Sequence, residues 1–213
     1  MVRTAGMTAC LPGYEHINRF LDREHGKTMA KILPGEFYVT QQPEVIVTVL
    51  GSCVSACIRD RKRGIAGMNH FMLPMQQHES ELSPLSRSAR YGSWAMEMLI
   101  NELLKAGAQR VDLEVKIFGG GRVLNGMDMI DIGRRNVEFV ESYLALEGLP
   151  IVAQDTGDIY PRKLQFFTET GKVRVRKLEM LRNQTVAERE VRYRHQIMQT
   201  ADKGTVELFG GDS

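Results

Sequence analysis

Long apolar runs are what this sequence most plainly lacks. No stretch approaches the roughly 20 consecutive apolar residues of a membrane-spanning helix. The start, Met1-Val2-Arg3-Thr4-Ala5-Gly6, contains no h-region of a secretory signal, so a soluble, unexported protein is expected. Cysteine is scarce. The three present, Cys10, Cys53 and Cys57, are odd in number and fall at no zinc-binding spacing. That argues against a disulfide framework and a structural metal site, and fits a reducing cytoplasm. Aromatic residues make up 7% of the chain and the basic far end carries no series of them, which disfavours a base-stacking nucleic-acid surface.

The net charge of +2 conceals an asymmetry: residues 1–170 hold 19 Lys and Arg against 20 Asp and Glu, whereas residues 171–195 hold 8 against 3. The basic stretch Lys172 to Arg194 reads first as a solvated strand and helix face, and second as a docking surface for anions. Hydrophobic content of 43% and charged content of 25% over 213 residues are those of an ordinary globular domain.

Three segments follow from the patterning. Residues 1–35 read as an N-terminal extension with a short helix around His16 to Glu24 and a turn at Pro34-Gly35. Residues 36–180 hold most of the strand signals: Glu36 to Thr40, Val45 to Leu50, Val54 to Ile58, Ile65 to Leu73, the alternating Val111 to Ile117, Pro150 to Ala153, Leu164 to Thr168 and Val173 to Leu178. Between them, Tyr91 to Ala106 repeats at helical spacing and is closed by Gly107, and a second helix runs from Gly133 to Glu147. The polar stretch 75–89 is long enough to act as a lid near His70. Residues 181–213 read as a charged helix from Asn183 to about Ala201, with a thin apolar stripe of Val186, Tyr193 and Ile197, and a tail. An α+β layered sandwich of mixed β-sheet flanked by helices is expected.

The chemistry concentrates where the apolar run Val45 to Leu50 meets Gly51-Ser52-Cys53. A glycine permits a sharp corner there and turns the following side chains outward, with backbone N–H groups beside them. A free cysteine in a β segment is ordinarily a small buried hydrophobe, and a histidine among Met68, Phe71 and Met72 is ordinarily a core residue. Position sets Cys53 and His70 apart, because adjacent strands would bring the thiol of one to the imidazole of the other and activate a nucleophile. Cys57 is the better structural cysteine, and Cys10 has no assigned role. His16, His25, His78 and His195 have no comparably fixed relation to Cys53. Thr48 could hydrogen-bond the second imidazole nitrogen, a task more often given to Asp or Asn, although a threonine in a strand is ordinarily there for its β propensity, and the residues alone favour that reading. Gly119 to Gly121 lacks a following Gly-Lys-Ser/Thr, and Leu124 breaks the dinucleotide pattern, so a tight turn is expected. The twelve methionines read as core filling.

Five ordered blocks, Leu50-Gly51-Ser52-Cys53-Val54, Met68-Asn69-His70-Phe71-Met72-Leu73-Pro74, Lys116-Ile117-Phe118-Gly119-Gly120, Ile132-Gly133-Arg134-Arg135-Asn136 and Tyr160-Pro161-Arg162-Lys163, resemble the CheD family of chemoreceptor glutamine deamidases. The resemblance spans about residues 36–180. It implies hydrolysis of glutamine side-chain amides on methyl-accepting chemotaxis receptors by a Cys-His-Thr triad, with Cys53 as nucleophile, His70 as base and Thr48 as third member, and without metal or organic cofactor. It also implies a CheC-type phosphatase as a partner. Two other classes of function compete with that reading: a non-catalytic module that docks on receptors or the phosphatase, and a general thiol hydrolase or transglutaminase acting on other proteins.

Overall fold

β-Branched residues are densest in Val45–Leu50, while Val54–Ile58 is a run of small and apolar residues, and the segments Val45–Leu50 and Val54–Asp60 become the central strands of two different sheets. The structure, a computed structural model, describes residues 8–23, 26–74, 87–123, 131–178 and 183–201. In chain order the strands are β1 (Asn18–Asp22), β2 (Lys27–Lys31), β3 (Phe37–Thr40), β4 (Val45–Leu50), β5 (Val54–Asp60), β6 (Ala66–Asn69), β7 (Leu113–Gly119), β8 (Ile151–Thr156), β9 (Arg162–Phe167) and β10 (Val173–Lys177). The helices are α1 (Arg87–Lys105), α2 (Ile132–Leu146) and α3 (Asn183–Ala201). One sheet has the order β1-β2-β4-β9-β10 and the other β3-β6-β5-β7-β8, each with parallel and antiparallel pairs. This is the expected α+β sandwich.

A single apolar cluster joins the layers. Ile46, Leu50, Leu164 and Phe166 of the first sheet pack with Ile58, Met68 and Ile117 of the second, and with Met96, Leu99, Val140 and Leu144 of α1 and α2. That position between sheet and helices explains why six of the seven residues of β5 are buried on a strand without polar alternation. Sharing one core, the two sheets cannot shift independently at the level of β4 and β5.

Three sequence expectations need correction. The helix expected around His16 to Glu24 is replaced by β1, which forms an antiparallel pair with β2, and β2 in turn pairs parallel to β4. Two five-residue strands around Gly26, whose φ is 61°, are too short for their pleat to be told from a helical turn by periodicity alone. The pair is tied down by Arg19, which bonds the buried Glu44, itself accepting a 2.7 Å hydrogen bond from the Tyr38 hydroxyl. The strand expected from Ile65 to Leu73 stops at Asn69. His70 follows it, and Phe71 returns as an isolated bridge to Val54. Helix α1 begins at Arg87, earlier than the apolar repeat indicates. The lid expected in 75–89 falls largely outside the described residues, as do His25 and His78.

Candidate active site

The chain passes from the first sheet to the second at Gly51-Ser52-Cys53, and every backbone carbonyl of this corner is tied back. Gly121 N–H donates to the Gly51 carbonyl (2.7 Å), Asn136 Nδ2 to the Ser52 carbonyl (2.8 Å), and Gly120 N–H to the Cys53 carbonyl (2.8 Å). The glycine run after β7 is thus a buttress for the corner. Gly119, at φ 111°, packs so closely that a Cβ would lie 2.2 Å from the Cys53 carbonyl oxygen. With the three carbonyls committed in this way, the N–H groups of Gly51, Ser52 and Cys53 converge on one point, as in an anion-binding nest.

The base comes from the second sheet. Val54 and Phe71 exchange backbone hydrogen bonds of 2.9 and 3.0 Å. Cys53 and His70 each immediately precede a member of that bridge, so both project on the face opposite Val54 and Phe71. Such diagonal neighbours stand about 7–8 Å apart at the backbone, within reach of each other's side chains. Asn136 of α2 spans the same junction, accepting a 2.9 Å bond from Leu73 N–H while donating to Ser52. It therefore fixes the nucleophile corner to the segment that carries the imidazole.

Thr48 lies on β4, in the first sheet. Its hydroxyl is 2.8 Å from His70 Nδ1 and 2.9 Å from the Ile32 carbonyl, both buried contacts. A hydroxyl has one proton. Donation to Ile32 leaves Thr48 Oγ1 to accept from Nδ1–H, which assigns the unprotonated nitrogen to Nε2. Nε2 has no hydrogen-bond partner among the described residues, and neither has the buried hydroxyl of Ser55. Burial lowers the His70 pKa to about 3. The Cys53 thiol is pushed well above its ordinary range, first by burial and then by the neighbouring Glu190 carboxylate. Thiol and imidazole are both neutral in this arrangement.

Glu190 is the residue that sequence reasoning missed. It projects from α3 into the nest: Oε1 accepts from Gly51 N–H (2.9 Å) and Cys53 N–H (3.2 Å), and Oε2 from Ser52 N–H (2.9 Å) and the Ser52 hydroxyl (2.6 Å). Its exposure is 3%. A signal existed, because Glu190 stands four residues after Val186 and three before Tyr193, on the same apolar stripe, where an acid is out of place. A cavity of about 40 Å³ lies beneath α3, lined by Thr48, His70, Ile32, Pro34, Val186 and Glu190. Cys57 is buried within β5, where burial raises its thiol pKa. Cys10 is half-buried. Among the described residues no group of three or more His, Cys, Asp and Glu is arranged to hold a metal ion, and no helix is long and apolar enough to cross a membrane.

The family model described as "CheD chemotactic sensory transduction" matches residues 72–177. A probable chemoreceptor glutamine deamidase CheD of Halorhodospira halophila is 55% identical over 212 residues, covering 97% of each chain. Its counterpart in Janthinobacterium sp. is 53% identical over 192 residues, 90% of this chain and 94% of that one. A third, from Saccharophagus degradans, is 46% identical over 208 residues, 96% and 95% of the two chains.

Proposed function

This chain belongs to the CheD family, and from that premise we propose that it hydrolyses glutamine side-chain amides on chemotaxis receptors to glutamate and ammonia, with Cys53 as nucleophile, His70 as general base and Thr48 as the group that orients the base. The observation that carries the assignment of roles is the Thr48 hydroxyl. Committed to Ile32 on one side, it holds His70 in the tautomer with Nε2 unprotonated, and that nitrogen has no hydrogen-bond partner among the described residues.

In this scheme His70 Nε2 takes the thiol proton as Cys53 Sγ attacks the amide carbon. The N–H groups of the Gly51 to Cys53 corner receive the oxygen as it gains negative charge. The imidazolium gives its proton to the departing nitrogen, ammonia leaves, and a thioester remains. Water deprotonated by the same Nε2 hydrolyses the thioester, returning the thiol and releasing a glutamate side chain. No redox step or electron carrier is required.

Receptor segments that face the cell interior as substrate require the enzyme to work in the cytoplasm. A CheC-type phosphatase as second partner rests on the family resemblance, and co-purification from cells under native conditions tests it. The deamidase itself is tested by intact-mass measurement of a receptor cytoplasmic fragment incubated with wild-type or Cys53→Ala protein. A gain of about 1 Da per converted glutamine is expected with wild type alone. Equal gains with both proteins would remove Cys53 from the mechanism, and binding without any gain would favour the docking module.

A further inference from the structure

Among its described side chains, helix α3 is buried along one narrow stripe. Val186, Glu190, Tyr193 and Ile197, spaced four, three and four residues apart, are buried, whereas Glu188, Arg189, Val191, Arg192, His195 and Gln196 are exposed. Val186 reaches the cavity beside Thr48 and His70. Tyr193 packs on Gly35, with ring atoms 3.1 Å from where a Cβ would stand, and its hydroxyl is 2.7 Å from that of Tyr91 on α1. Between these two anchors the helix delivers a carboxylate to the three converging N–H groups and the Cys53 thiol.

Resting on the deamidase reading, we infer that the groove under α3 is the substrate groove, that it takes an α-helix presenting a glutamine side chain, and that α3 holds it shut in the free protein by presenting Glu190 as a copy of the reaction's product. The chemistry of the contacts supports a product rather than a substrate copy. A carboxylate offers acceptors to Gly51, Ser52 and Cys53 at once. An amide would satisfy Gly51 and Cys53 through its oxygen but turn its NH₂ toward the Ser52 N–H, donor against donor. The occupant of the groove also defines what replaces it: a helix with apolar residues four positions before the glutamine and three and seven positions after it. Because α3 is tethered to the groove it closes, a receptor helix has to compete with an intramolecular ligand.

An open form populated at about 1–10% predicts that Glu190→Ala raises the rate of receptor deamidation by about 10–100-fold at low substrate. Alkylation of Cys53 by iodoacetamide, followed by peptide mapping to separate it from Cys10 and Cys57, should accelerate in parallel and needs no receptor. Unchanged Cys53 labelling in Glu190→Ala would overturn the inference whether or not the enzyme is active. Faster labelling with no deamidation by either protein would leave α3 as a cover but remove the deamidase reading, and with it the substrate groove. Glu190→Gln keeps the shape of the side chain and guards against misfolding in the alanine variant. In it, Cys53 should attack the amide carbon newly placed at position 190, release ammonia and, with one water, restore glutamate, a gain of about 1 Da that Cys53→Ala/Glu190→Gln lacks. An amide that persists at this position for days in a protein active on receptor, with Cys53 labelled no faster than in wild type, would overturn the product-like placement; one that persists with faster labelling has been expelled from the nest, as the donor clash predicts, and supports it.

Discussion

Replacing Thr48 by valine keeps the shape of the side chain and deletes one oxygen, and two buried groups lose their partner: the Ile32 carbonyl and His70 Nδ1–H. Leaving each unsatisfied costs about 1–3 kcal/mol, so a stability loss of about 2–6 kcal/mol is expected. The effect on rate has a separate origin. In the transition state His70 carries a proton on both nitrogens, and the bond from Nδ1–H to Thr48 becomes charge-assisted, worth about 1.5–3 kcal/mol. Its loss corresponds to a kcat lower by about 10–150-fold. Deamidation of a receptor fragment followed by mass, below the unfolding temperature of the variant, gives the rate; urea unfolding gives the stability. Thr48→Ser restores the hydroxyl and should recover most of the rate even if it recovers less of the packing. Activity in Thr48→Val within twofold of wild type, or Thr48→Ser as impaired as Thr48→Val, would refute the orienting role.

Asn136→Ala removes the donor to Ser52 and the acceptor from Leu73, so about 2–4 kcal/mol of stability should go; a urea midpoint equal to that of wild type would contradict it. Gly119→Ala combines a φ of 111° with a Cβ 2.2 Å from the Cys53 carbonyl oxygen, a loss of about 3 kcal/mol together with a displaced corner, visible as lowered activity and an earlier unfolding transition. Acid should destabilise the protein through His70. Its folded pKa of about 3 lies below the ordinary 6.5, so between these values the unfolded chain binds a proton that the folded one refuses. Stability then falls with pH by up to about 1.4 kcal/mol per unit. Urea unfolding between about pH 7 and pH 4.5 should show a slope shallower by about one proton in His70→Gln, and identical slopes would exclude the effect.

Most of the layout was legible because β4 is dense in β-branched residues, β5 begins as an unbroken run of small and apolar ones, and the helices are long enough to show their period. Helix α3 runs from Asn183, as read from the sequence, to Ala201, and the stripe of Val186, Tyr193 and Ile197 is buried. The first 35 residues were harder. Their strands are five residues long, and they belong to the sheet through the pairing of β2 with β4 and through Arg19 and Glu44, partners separated by 25 residues that no local pattern connects. In the site, Cys53 and His70 could be singled out from the glycine corner and the strand spacing, and Thr48 only through the family resemblance. The acceptor that fixes the Thr48 proton is a main-chain carbonyl, Ile32, which has no residue signature. Asn136 was part of a recognisable block, but its two bonds join residues from both sides of the corner and require the folded backbone. Glu190 was visible only as a misplaced charge in an apolar stripe.

The crossing of the chain between sheets at Gly51 to Cys53 also sets when chemistry becomes available during folding. Thr48 belongs to a sheet in which β4 is bracketed by β2 and β9, and His70 follows β6, which is bracketed by β3 and β5 in the other. The first sheet therefore closes only after residues 162–167 have paired with β4, more than a hundred residues beyond the nucleophile. Until then Cys53 is an ordinary thiol with no oriented base and no buttressed nest. Pulsed alkylation during refolding should find Cys53 labelled at the rate of an ordinary exposed thiol until the sheets dock and bury it, so a half-made chain carries no thiol hydrolase to act on its neighbours.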